Sequence, residues 1–154
     1  MKMKKLLILA VVLSALLSVG PANLASACEP QPGTGTPGYW KNHPDAWPVD
    51  EITIGGETYS KDDAIEIMNT PEKGDKTYTL FRALVAARLN VLIGNKSCCI
   101  QRTINAADAW MATYGPVGSG VKAGGKCSPW RDAEPLYKKL DDYNNGWLCA
   151  PSRG

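Results

Sequence analysis

The sequence predicts a mainly α fold: a small, disulfide-stabilised bundle of about four helices with one short β-hairpin. Three observations carry this. Apolar residues recur at helical spacing in the long segments after position 79. A single Gly-Gly pair separates two short runs rich in β-branched and aromatic residues. Five cysteines, Cys28, Cys98, Cys99, Cys127 and Cys149, all lie beyond an N-terminal segment that reads as an export signal.

That segment opens with Met1-Lys2-Met3-Lys4-Lys5, runs apolar from Leu6 to Val19, and closes on Gly20-Pro21 and Ala25-Ser26-Ala27. A basic start, an apolar middle and small residues before a cut mark a signal peptide, assigned to residues 1–27. An apolar run of this length is too short for a bilayer-spanning helix, which needs about 20 residues. Cleavage after Ala27 leaves Cys28 first. Leu24-Ala25-Ser26-Ala27-Cys28 also passes as a loose lipoprotein box, so the chain is either released or, if Cys28 is acylated, tethered to a membrane. Residues 1–27 hold three lysines and no acid. The net +2 of 17 basic and 15 acidic residues therefore becomes −1 in the remainder. No basic face is left for nucleic acid.

Residues 28–37 (CEPQPGTGTP) read as a Pro/Gly-rich leader with nothing to bury, and 38–150 as one mostly helical domain. Gly38–Pro48 (GYWKNHPDAWP) is dense in aromatics and prolines. Ile52-Thr53-Ile54 and Glu57-Thr58-Tyr59 flank Gly55-Gly56, a two-residue hairpin signal. Ser60 caps a short helix to about Met68, with Asp63 at its positive end. Leu80–Ile93 is the strongest helix. Its apolar residues leave little polar face, so it is central and buried, with Gly94 as cap. Ile100–Tyr114 is a third helix, ended by Gly115-Pro116. The loop 115–127 is Gly-rich and reads as flexible. Pro135 opens a last helix with Leu136, Leu140 and Tyr143 inward and Asn145-Gly146 as its cap. Trp147 and Cys149 pin down the end.

The cysteines of an exported chain pair as disulfides, and an odd number leaves one free, intermolecular or modified. Cys28–Cys149 joins the first and last mature segments, with Cys127 closing onto Cys98 or Cys99; acylation of Cys28 would instead leave four cysteines for two bridges. A ring between Cys98 and Cys99 is strained. Zinc is disfavoured: no cysteine pair has two-to-four-residue spacing, and His43 is the only histidine. No cofactor motif is present.

Gly38–Pro48, Leu84–Asn95 (LVAARLNVLIGN) and Leu140–Gly146 (LDDYNNG), in that order, resemble a family of uncharacterised secreted domains, mainly bacterial, that carry a GYWKNHPxxWP motif. The resemblance implies a fold and export, not a reaction. Members often place a cysteine shortly before GYWK and another near the C-terminus, places that Cys28 and Cys149 fill. Cys98, Cys99 and Cys127 then look like additions particular to this chain.

Tyr39, Trp40, Asn42, His43 and Trp47 are the candidate binding residues. His43 with Asp45 suits an acid/base pair, but sequence supplies neither nucleophile nor metal for it. The plainer reading is a packed motif in which the tryptophans bury area while Asn42 and His43 bond the irregular backbone. Gly120–Cys127 nearly spells a phosphate loop, yet Cys127 replaces the Ser/Thr that would hold magnesium and no strand precedes it. Asp141–Gly146 resembles a calcium loop, but Tyr143 and Ser152 fall where oxygen ligands are required. Asn95-Lys96-Ser97 is a glycosylation sequon, meaningful in a eukaryotic host. Trp110 lies one position off its helix stripe and is expected to be partly exposed. Exposed rings would suit a cell-surface glycan. These features favour an extracellular, non-enzymatic binding or surface-structural module, with a glycan or an envelope protein as partner. A hydrolase using His43 and Asp45, or an accessory or inhibitor subunit docking through GYWKNHPDAWP, is the alternative.

Overall fold

The computed structural model describes residues 30–153. The expected signal peptide, residues 1–27, and Cys28 lie outside the described residues. Five α-helices and one two-stranded antiparallel hairpin make a mainly α fold: α1 (Pro37–Asn42), β1 (Glu51–Ile54), β2 (Glu57–Ser60), α2 (Lys61–Asn69), α3 (Lys76–Leu92), α4 (Gln101–Tyr114) and α5 (Trp130–Asn144). Among the described residues no helix is long and apolar enough to cross a membrane.

α3 is the central element. Leu80, Phe81, Leu84, Val85 and Leu89 are fully buried, and α4 and α5 pack against it and against each other. A helix apolar on nearly all sides needs neighbours on all sides. It begins four residues before Leu80 because the Asp75 side chain accepts the Thr77 N–H at 3.0 Å. The polar turn Lys76–Thr79 hides that start from the apolar pattern.

The hairpin pairs Ile54 with Glu57 across Gly55-Gly56, and Ile52 and Ile54 face inward. Gly55, at φ +59°, lies so close to α4 that a Cβ would sit 2.7 Å from the Met111 carbonyl carbon. The Asp108 carboxylate ties this corner together: it accepts the Gly55 N–H at 2.9 Å and pairs with the Arg88 guanidinium of α3 at 2.6 Å. Ser60 caps α2 by accepting the Asp63 N–H at 3.1 Å, as its spacing predicts.

α5 starts at Trp130, five residues before the expected Pro135. Ser128 Oγ accepts the Trp130 N–H at 3.2 Å, and Pro135 lies inside the helix. Its missing N–H leaves unmade only the helix bond to the carbonyl of Arg131, an exposed residue. At the other end Gly146 turns at φ +78°, where a Cβ would meet the Ser152 nitrogen at 2.1 Å.

The expected leader is part of the fold from Gln31 onward. Thr34 N–H donates to the Pro151 carbonyl at 2.8 Å and Arg153 N–H to the Thr34 carbonyl at 2.9 Å, which makes a short parallel bridge between the two ends of the domain. Gly33, Thr34 and Gly35 are buried. They have nothing apolar to bury, but their backbone groups find partners: Gly35 on α3, Gly33 on the α3–α4 connection and Thr34 on the C-terminal segment.

The disulfide pairing also differs from expectation. Cys149 bonds Cys99, with Cα atoms 5.9 Å apart, and not Cys28. α5 runs parallel to α3, from Trp130 beside Lys76 to Asn144 beside Asn90, and delivers the C-terminal segment to the α3–α4 connection, where Cys99 lies. Cys99 is thus part of the framework rather than an addition to it. Among the described residues Cys98 and Cys127 are exposed and unbonded, so Cys127 closes onto neither Cys98 nor Cys99.

Candidate functional site

The GYWK segment is built from its caps inward. Thr36 Oγ1 accepts the Tyr39 N–H at 3.2 Å and Pro37 occupies the first helical position, which starts α1. The six-residue helix sends Trp40 into the core, where it is 0% exposed. Trp40 Nε1–H donates to Asn90 Oδ1 at 3.1 Å, and Trp47 Nε1–H donates to the Trp40 carbonyl at 2.9 Å. Both indoles are therefore buried with their only donors satisfied.

Of the other predicted residues, Tyr39 is half-buried against the core, and Asn42 and His43 face outward. His43 is exposed, stacks on Tyr39 with centroids 4.2 Å apart, and its Nδ1 lies 2.8 Å from the Tyr39 carbonyl at the end of α1. Asn42 and Asp45 are exposed. No carboxylate or hydroxyl hydrogen-bonds His43 among the described residues, so its geometry is that of a helix end. Removing it (His43→Ala) is expected to change unfolding free energy by no more than about 0.5 kcal/mol, checked by urea titration.

Sequence reasoning missed the groups that hold this segment. Asn90, in mid-α3 and fully buried, accepts the Gly35 N–H at 2.7 Å and donates to the Gly35 carbonyl at 2.9 Å, while also bonding Trp40 and Asn144. Asn144 donates to the Ala83 carbonyl at 2.9 Å. Asn95 accepts the Gly33 N–H and donates to the Gly33 and Asn90 carbonyls, each at 3.0 Å. Asn95 and Asn90 act as strand partners for Gly33 and Gly35. The signal for them was a lone amide inside the apolar run Leu84–Ile93. Asn95 is 4% exposed with its amide fully engaged, so the sequon is closed in the folded chain. Arg153, also missed, lays its guanidinium over the Tyr39 and Trp40 rings at 4.8 and 5.7 Å and donates to the Tyr39 hydroxyl. Beside it opens a depression of about 170 Å³ between Thr36, Tyr39, Asn145 and Ser152.

Trp110, expected to be partly exposed, is buried. The early start of α5 places Trp130 edge-on to it, 6.3 Å between centroids, and its Nε1–H donates to the Pro129 carbonyl at 3.1 Å. With Trp40, Trp47 and Trp110 all interior, a sugar-stacking platform on these rings loses its footing. Trp147 was expected to pin the chain end and is instead 71% exposed, next to the exposed Leu148. Its backbone is fixed all the same: Trp147 N–H donates to the Asp142 carbonyl at 3.0 Å, and Cys149 is disulfide-bonded two residues on.

The Gly-rich loop is docked where flexibility was expected. Asp75 Oδ2 accepts the Gly120 N–H at 2.8 Å, Thr77 Oγ1 accepts the Gly118 N–H at 2.9 Å, and Lys76 N–H donates to the Val121 carbonyl at 2.7 Å. The Gly120 amide that a phosphate would need is thus occupied by a carboxylate of the protein itself. Burial pushes the Asp75 carboxyl up, but bonds from Thr77 N–H, Gly120 N–H and the Thr77 hydroxyl, with the nearby Lys122 charge, outweigh it and hold the group below the usual aspartate range. The unfolded chain therefore takes up this proton first as pH falls. The contribution of Asp75 is complete above the ordinary aspartate value of about 4 and is lost as pH drops below it through the folded value. Asp75→Asn is expected to cost about 1–3 kcal/mol at pH 7 and much less at pH 2–3, measured by urea unfolding across that range. An equal cost at both pH values would contradict this.

The calcium reading also fails in space, because α5 continues through Asp141–Asn144 and buries Asn144. No group of three His, Cys, Asp or Glu residues that could hold a metal occurs among the described residues. A separate cleft of about 310 Å³ lies between β1, α3 and α4, with Arg88, Gln101 and Asn105 around an apolar floor of Val91 and Ile104.

No protein-family model, no curated protein and no solved structure matches this chain.

Proposed function

We propose that this chain is an exported, disulfide-bonded module that acts outside the cytoplasm by contact with an envelope or extracellular protein, without chemistry at the GYWKNHPDAWP segment. The observation that carries the reading is the division of its aromatic residues. Trp40 and Trp47 are interior supports with satisfied indoles, whereas Trp147 stands 71% exposed on a clamped backbone. Large rings held rigid at the surface lose little entropy on binding and recur as anchors in protein interfaces. The apolar Leu6–Val19 run and the small residues before Cys28 support export. The resemblance to secreted domains supports the same compartment.

The test compares wild type and Trp147→Ser for saturable binding to envelope preparations of the source cells. The variant is expected to unfold at the same urea concentration as wild type and to bind at least tenfold more weakly. Equal binding by both proteins would remove Trp147 as the contact. Recovery of the chain from the cytoplasm, with residues 1–27 retained, would refute the export reading.

A further inference from the structure

β1 leaves one edge open. The two-residue turn closes Ile54 on Glu57, and Lys61 N–H donates to the Asp50 carbonyl at 2.8 Å, so Asp50, Ile52 and Ile54 are the residues whose main-chain groups bond toward β2. In an antiparallel pair these alternate with residues whose N–H and C=O point the other way. Glu51 and Thr53 hold those positions, and their main-chain groups have no hydrogen-bond partner among the described residues. The tip of the hairpin is already tied to α4, where Asp108 accepts the Gly55 N–H at 2.9 Å. Toward the start of α4 the cleft of about 310 Å³ opens, with residues 51–53 on one side and Gln101 and Asn105 on the other. Val91 and Ile104 form its floor, and Leu92 stands 53% exposed at its rim.

The charge beside this edge is predominantly negative. Asp50, Glu51, Glu57, Asp62, Asp63 and Glu66 are exposed on the hairpin and α2, against one cation of the same stretch, Lys61. Arg88 in the cleft is neutralised by Asp108 at 2.6 Å, and the exposed Arg102 of α4 offsets a single carboxylate.

We propose that the open edge of β1 and the cleft beside it receive an extended, basic segment of another protein, which adds as a third strand. Its backbone pairs with the N–H and C=O groups of Glu51 and Thr53. Alternate apolar side chains enter the cleft over Val91 and Ile104, and its cationic residues meet the carboxylates of the hairpin and α2. A second copy of this chain is the poorer occupant, because self-pairing would set the same carboxylates against each other. The inference is separate from the Trp147 contact, since it concerns another surface and is tested on purified protein.

The probe is a short fluorescein-labelled peptide of alternating lysine and valine, followed by fluorescence anisotropy. It is expected to bind saturably and more weakly as salt rises. The glutamate–valine counterpart, and the lysine–valine peptide N-methylated on the amides of one edge, should each bind at least about tenfold more weakly. Glu51→Lys should weaken binding, as should Thr53→Pro, which removes an outward N–H at an edge position where proline is tolerated. Where Thr53→Pro fails to fold, the N-methylated peptide puts the same question to the wild-type protein. Amide exchange at Glu51 and Thr53 should be fast in the free protein and slowed by the peptide. Absence of binding, or equal binding of the N-methylated or the acidic peptide, would overturn the proposal. So would protection of the Thr53 amide without peptide, and if a dimer in sedimentation accompanies it, the occupant is a second copy.

Discussion

Replacing Asn90 with alanine is expected to lower the unfolding free energy by at least about 4 kcal/mol, the largest effect of any single polar side chain among the described residues. Asn90 is fully buried and uses both ends of its amide: Oδ1 accepts from Gly35 N–H and Trp40 Nε1–H, and Nδ2 donates to the Gly35 carbonyl and Asn144 Oδ1. Truncation strands these partners away from water, at about 1–3 kcal/mol for each group left unsatisfied. It also opens a cavity beside Trp40. Urea unfolding followed by tryptophan fluorescence gives the number. Asn90→Asp makes a sharper comparison, since it keeps the two acceptor bonds and loses the two donated ones while introducing a buried charge. It should be no more stable than the alanine variant near pH 7 and should recover part of the loss in acid. A cost under about 1.5 kcal/mol for Asn90→Ala would mean that residues 33–35 are not held by this side chain.

Opening the Cys99–Cys149 bond is expected to cost about 2–4 kcal/mol, because it frees a closed loop with a sequence separation of 50. Cys149→Ser tests it. The loss should be local in the native state as well: the C-terminal residues from Trp147 on, and with them the Thr34–Ser152 bridge, should gain hydrogen exchange before α3 does. Uniform acceleration over all helices would instead mean that the bond acts only on the unfolded chain. The Tyr143 hydroxyl donates to the Lys96 carbonyl at 2.9 Å in the same region. Burial first, and the Cys98 charge second, push Tyr143 up to about 12. A raised tyrosine favours the folded state while protonated, so stability here is complete below about pH 10 and falls as pH rises from there toward 12. The Tyr143→Phe variant should lack that alkaline slope.

How far the sequence could be read depended on whether the decisive interaction was local. The Ser60 cap, the Gly55-Gly56 turn, and the ends of α2 and α4 were legible because the groups involved lie within four residues of one another. α3 was legible in its apolar body and not in its polar first turn, which Asp75 caps. α5 was misplaced at its start because proline at Pro135 is a strong local signal for a first turn, while the true start depends on Ser128 and on Trp130 packing against Trp110. The GYWK segment was legible as a packed motif. Its fastening on Asn90, Asn95, Asn144 and Arg153 was not.

By itself, then, the amino-acid sequence determined the helical class, the hairpin, most helix ends and the burial of Trp40 and Trp47, since periodicity, turn chemistry and capping act over one or two turns of chain. Tertiary structure decided which polar groups became interior partners and which cysteines met. Gly35 finds Asn90 across 55 residues, Gly33 finds Asn95 across 62, and Cys99 finds Cys149 across 50. No pattern in the intervening sequence encodes those distances. They follow from α4 and α5 packing against α3, which leaves buried backbone groups at Gly33 and Gly35 that the Asn95 and Asn90 side chains satisfy, while Thr34 between them pairs with the C-terminal backbone.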